Sequence, residues 1–138
     1  KSLYKKNQIW SDNPNVIPQR RIFRTPDRYG YITVNYYPVK KLSISLFGTY
    51  TGSMLVQHFA GYVPEDVQTK TKEFFDISVK FSYDFAINRQ SKLQVNTGIQ
   101  NVFNSYQSDF DKGQYRDAGY IYGPSLPRTP FLGIKLMI

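Results

Sequence analysis

Few residues in this 138-residue chain have types that could do chemistry, and the only histidine, His58 in LVQHFAGY, is the first to consider. An imidazole can bind a metal or move a proton near neutral pH. The chain has no cysteine and no second histidine, and no carboxylate stands at ligand spacing from His58. His58 therefore reads as a loop histidine, and neither a metal nor a cofactor is expected. Asp76, Lys80 and Asp84 recur every fourth residue. On a strand that spacing separates neighbours by ~13 Å, too far for an acid/base pair but suited to charges lining one polar face. Asp109, Asp111 and Asp117 lack the spacing and terminal Glu of a calcium loop. No nucleophile elbow, phosphate loop or zinc motif is present, so no enzyme is expected.

Binding is better provided for. SYQSDFDKGQYRDAGYIY, residues 105–122, mixes aromatics with Arg and Asp, the composition favoured where a surface meets a ligand or partner. His58, Tyr62, Phe110, Tyr115, Arg116 and Tyr120 are the candidate contact residues. Arg20, Arg21, Arg24 and Arg28, interleaved with Phe23 and Tyr29, could serve a nucleic-acid face. They could equally meet anionic lipopolysaccharide or an acidic chelate. The formal charge of +8 suits nucleic acid, an anionic membrane surface or an acidic ligand, and does not choose among them.

The elements that must position these residues are strands. EFFDISVKFSYDFAI, residues 73–87, sets Phe75, Ile77, Val79, Phe81, Tyr83 and Phe85 against Asp76, Ser78, Lys80, Ser82 and Asp84, a period of two without an error. Residues 29–38, 42–50, 93–103 and 131–138 alternate similarly; in the last, Leu132, Ile134, Leu136 and Ile138 oppose Phe131, Gly133, Lys135 and Met137. With aromatics at 17% of the chain, an all-β fold of about five antiparallel meander strands is expected. No apolar run is long enough for a transmembrane helix, and residues 1–20 lack the apolar centre of a signal peptide. A negative mean hydropathy leaves a transmembrane barrel open, since barrel strands alternate.

The connections alternate in length. Residues 39–41 and 88–92 are short turns, while 53–72 and 104–127 are long, so short connections lie at one end of the sheet and long ones at the other. Outer-membrane barrels have that asymmetry, with short periplasmic turns and long extracellular loops. Tyr36, Tyr37, Tyr83 and Phe85 fall at the short-turn ends, where an interfacial girdle would sit. Residues 1–28 are expected to be a further extracellular loop or partial strand. Five strands cannot close a barrel, for which about eight is the practical minimum. The chain reads as one part of something larger, and alone it is expected to pair, oligomerise or aggregate.

Residues 98–138 resemble the C-terminal end of TonB-dependent outer-membrane receptors. The resemblance rests on Asn101, Val102, Phe103 and Asn104, then a long loop, then Gly123, Pro124, Pro127, Arg128 and Thr129, with Gly133 inside the last strand. Residues 24–52 also look like late strands of that family, so the likeness spans about residues 24–138. It implies a C-terminal portion of a 22-stranded barrel in the outer membrane of a Gram-negative bacterium, importing a scarce nutrient such as a ferric siderophore, haem or cobalamin. The implied partners are the rest of the barrel, a plug domain, outer-membrane lipids, a surface lipoprotein and the inner-membrane energy-coupling complex, with no nucleic acid. Asp76, Lys80, Asp84 and Lys135 would face the lumen. The plug and coupling segment are missing from these residues, and the final residue is Ile138 where the family most often has Phe. Another barrel, such as a porin or adhesin, is the main alternative. A soluble basic β domain binding single-stranded nucleic acid is a further one, and would carry its aromatics on the polar face.

Overall fold

The computed structural model describes residues 2–138, all of it strands, turns and loops. Nine strands form in chain order: β1 (Leu3–Gln8), β2 (Gln19–Arg21), β3 (Tyr29–Val39), β4 (Leu42–Thr51), β5 (Leu55–His58), β6 (Val67–Lys70), β7 (Phe74–Ala86), β8 (Lys92–Gln100) and β9 (Thr129–Met137). Three sheets result: β1–β2, β5–β6, and a five-stranded sheet in the order β3-β4-β7-β8-β9. That sheet is the expected meander, open at both edges and not closed into a barrel. The chain divides into two compact units, a sheet unit (30–50, 75–106, 126–138) and a loop unit formed by the residues up to Tyr29 with 51–74 and 107–125.

Register in the sheet unit follows from the side-chain period. Val79, Phe81, Tyr83 and Phe85 of β7 stand opposite Ile99, Thr97, Val95 and Leu93 of β8. Those residues in turn stand opposite Pro130, Leu132, Ile134 and Leu136 of β9. One face, apolar but for Thr97, therefore runs across three strands, since a slip of one residue would turn every side chain over. The same face continues onto β4 and β3. A Cβ placed on Gly48 would lie 2.9 Å from Ile32 and 3.9 Å from Ile77, so this glycine lets the two isoleucines close over the strand between them.

Two expectations about strand limits are corrected. The strand read as 93–103 stops at Gln100, because Asn101 adopts the left-handed region (φ 49°) and takes Val102 and Phe103 out of the ladder. The last strand begins two residues earlier than expected, at Thr129, and includes Pro130, which an edge strand tolerates for want of an outer partner.

The loop unit is more ordered than its composition suggests. The stretch 53–72, expected as one long loop, contains the β5–β6 hairpin, paired Leu55 to Lys70 through His58 to Val67. The N-terminal stretch, expected as a loop or partial strand, forms β1–β2, paired Leu3 to Arg21 and Gln8 to Gln19 around an irregularity. Met54, Val56 and Tyr120 make the buried cluster, with Tyr122 packed on it. Phe74 is buried beside Tyr122, ring centroids 6.0 Å apart. Gly123 lies flat on the Phe74 ring: a Cβ there would come within 2.4 Å of it.

Candidate functional site

The two faces of the five-stranded sheet differ in kind. On the polar face, cross-strand pairs satisfy one another: Ser45 Oγ donates to Asn35 Oδ1 (2.7 Å), Ser82 Oγ to Asn96 Oδ1 (2.7 Å), and Gln94 Nε2 to Asp84 Oδ1 (2.7 Å). Asp84 and Lys135 flank Gln94 on that face, and Lys80 and Asp76 follow along β7, so the four charges read as one lining do share a face. On the other face nothing covers the aliphatic and aromatic side chains. Leu132 is 73% exposed and Ile134 71%, with Tyr36, Phe81, Phe85 and Leu136 also exposed. A water-soluble sheet buries one face against a second layer. Here no residue of the sheet unit provides that layer.

Aromatics also stand on the polar face, Tyr31 and Tyr37 of β3 among them. Phe47 and Phe131 stand on the polar face and, with Ser78, Lys80, Asn96, Gln100 and Gly133, surround a hollow of about 380 Å³. The Phe131 ring reaches back over Gly98, where a Cβ would lie 2.8 Å from it. Sequence reading placed Phe131 on this side without seeing the hollow. The signal was available in Gly98 and Gly133, two strand glycines flanking one large ring position.

The receptor-like motifs prove to be a structural staple. Asn101, buried, donates through Nδ2 to Leu126 O (3.0 Å) and Ser105 O (3.3 Å), and accepts from Ser105 N–H at Oδ1 (2.7 Å). Asn104, also left-handed (φ 56°), accepts from the Arg128 N–H at Oδ1 (2.9 Å). Phe103 stacks on Phe75, with centroids 5.9 Å apart. The two asparagines thus hold the returning Pro127–Arg128–Thr129 segment against the end of β8. In the loop unit, Pro124 O accepts from Gln107 N–H (2.9 Å). Gln107, fully buried, spends its amide on Tyr120 O (3.0 Å) and the N–H groups of Tyr122 (2.8 Å) and Gly123 (3.3 Å). No sequence signal marked Gln107, a single polar residue inside a polar loop.

The six candidate contact residues all belong to the loop unit, in two of its segments. His58 Nε2 lies 2.8 Å from Asp111 Oδ2, and its ring stacks on Tyr120 at 3.7 Å. The Phe59 N–H donates to Asp117 Oδ2 (3.0 Å), and Gly61 packs against the Tyr115 carbonyl. His58 and Tyr120 are buried, so packing takes up two of the six side chains expected to present themselves to a ligand. Phe110, Arg116 and Tyr120, with Asp111 and Asp117, line a hollow of about 240 Å³, while Tyr62 and Tyr115 stand exposed. Burial, then hydrogen bonds and charge from Asp109, push the Tyr122 hydroxyl well above the usual phenol range. Tyr120 is raised chiefly by burial. Both hydroxyls donate to Asp109, Tyr122 at 2.6 Å and Tyr120 at 3.4 Å.

The arginine cluster is used internally. Arg20 donates to Tyr4 O (3.1 Å), Arg21 pairs with Asp27, and Arg24 donates to Gly119 O (2.6 Å) and Ile121 O (3.1 Å). Three of the four guanidinium groups that could face a polyanion hold the loop unit together instead. No family model matches this chain, and neither a curated protein nor a solved structure is significantly similar to it.

Proposed function

We propose that this chain forms part of the wall of an outer-membrane barrel of the TonB-dependent receptor kind, serving uptake of a scarce nutrient such as a ferric siderophore, haem or cobalamin. The observation that carries the reading is the uncovered apolar face, continuous from β3 to β9 and opposed by a polar face whose groups satisfy one another. Hydrocarbon supplies a second layer to such a face without any further protein. Support also comes from the two open edges, which suit neighbouring strands of a larger barrel, and from the strict alternation of short and long connections. The pairing of the Asn-Val-Phe-Asn segment with Pro-Arg-Thr favours this family over a porin or adhesin. In this reading the polar face lines the lumen and the loop unit is extracellular.

The chain has no cysteine, so each introduced thiol is the only one in these residues. Substituting Phe131 through Leu136 singly by cysteine and labelling in outer membranes with a water-soluble maleimide tests the wall directly. The expected result is labelling at positions 131, 133 and 135 and protection at 132, 134 and 136, with protection lost on solubilisation in denaturant. Equal labelling at both parities would overturn the reading.

A further inference from the structure

We propose that the short-turn end of the five-stranded sheet is a docking surface for the headgroups of anionic phospholipids; the inference rests on the membrane-wall reading above. Lys40 and Lys41 form the β3–β4 turn, Arg89 sits in the β7–β8 turn and Lys92 opens β8, all four exposed. The Asp84 N–H donates to Lys41 O (2.8 Å), which holds the first turn against the end of β7 and so beside the second. Asn88 Oδ1 accepts from the N–H groups of Gln90 (2.9 Å) and Ser91 (2.7 Å), closing the second turn on itself and leaving the Arg89 side chain at its tip.

Counter-charge is sparse. Residues 30–50 and 126–138 contain no Asp or Glu, and among residues 79–95 the single carboxylate is Asp84, on the polar face and bonded to Gln94. Beside the cations, on the apolar face, stand Tyr36, Tyr83 and Phe85, the last two with ring centroids 4.7 Å apart. Ile134 stands level with Tyr83 across β8 and Leu136 level with Phe85, while Leu132 lies one pair further from the turns. Exposed cations at the turns, bordering a face of aromatic and aliphatic side chains, repeat the order of one leaflet from phosphate to interface and acyl chains. A cluster of one sign at that depth meets lipid phosphates and selects headgroups carrying net negative charge.

The test uses the full chain diluted from detergent onto vesicles of phosphatidylcholine alone or with phosphatidylglycerol admixed, read by co-sedimentation. We expect association with both, tighter on the anionic vesicles and with that preference weakened by salt. The combined variant K40Q/K41Q/R89Q/K92Q should lose the preference, on the order of a hundredfold in affinity at low salt, while keeping its association with neutral vesicles. The charge-keeping variant K40R/K41R/R89K/K92R should retain the preference. Equal binding to both compositions, or a preference that survives the glutamine substitutions, would overturn the inference and leave the wall reading standing. No association with either composition would overturn the wall reading itself.

Discussion

The loop unit and the sheet unit handle the same kinds of side chain in opposite ways. In the loop unit, Val56 and Phe74 are buried and Gln107 is enclosed with every amide group bonded, although the segments that supply them are short and polar. In the sheet unit, residues that read as far more hydrophobic in sequence stand open, Leu132 and Ile134 at their extreme. A core closed from within is what water requires. An apolar face left open across five strands is what an apolar solvent requires, and the proposed barrel wall accounts for the contrast.

The comparison can be broken most forcefully in the loop unit. Phe74→Ala removes its largest buried ring and should cost about 3–5 kcal/mol, because the cavity cannot fully collapse. Hydrogen exchange should report the loss at Gln107 and Tyr122 and leave the β8–β9 ladder protected; exchange rising equally in both would mean one cooperative unit. Ile134→Lys should cost about 2–4 kcal/mol in bilayers, against little for a lysine at Gly133 one position away. Unfolding titrations in lipid and in water would sharpen the contrast, since the difference between these neighbours should shrink once lipid is absent.

A smaller effect, about 2–3 kcal/mol, is expected for Asn101→Ala, which removes three hydrogen bonds and leaves a Cβ residue in the left-handed region. Asn101→Gly restores the backbone freedom and should recover about 1 kcal/mol of that loss by denaturant titration. Titration with base should affect the loop unit through Tyr122 and Tyr120. Folded-state values of Tyr122 and Tyr120 lie above the ordinary value of 10, so their contribution is fully present below that pH and is lost as pH rises beyond it. Tyrosinate absorbance appearing together with loss of loop-unit exchange protection would bear this out. At the acid end, Asp66 is held below the usual carboxylate range by the Ser11 hydroxyl and the Ala60 N–H. Its contribution is present above the ordinary value near 3.8 and falls away as pH drops through the lower folded value, the smallest effect of the set because Asp66 is screened by solvent.

How much of this was readable in the sequence follows the same division. The sheet was legible because every second residue repeats one character for ten residues, as from Phe75 to Phe85, and that period sets both the strands and their facing. The hairpin of LVQH and VQTK was not, since four residues are too few to establish a period. The site in the loop unit was partly legible: Phe110, Arg116 and Tyr120 do meet around one hollow. The burial of His58 was hidden because its partner Asp111 lies far along the chain, and nothing local announces a contact at that separation. The Asn101 and Pro127–Thr129 motifs were visible as types, while their joint purpose, fastening a returning segment to a strand end, needed the hydrogen bonds.

The central claim is that the open apolar face awaits hydrocarbon, and the most direct measurement is the state of residues 1–138 by light scattering with and without detergent. The account predicts a homogeneous species of one chain in detergent and association into large particles when detergent is removed. A compact monomer that stays soluble in buffer, with the β9 positions 132, 134 and 136 protected from a water-soluble label, would contradict it.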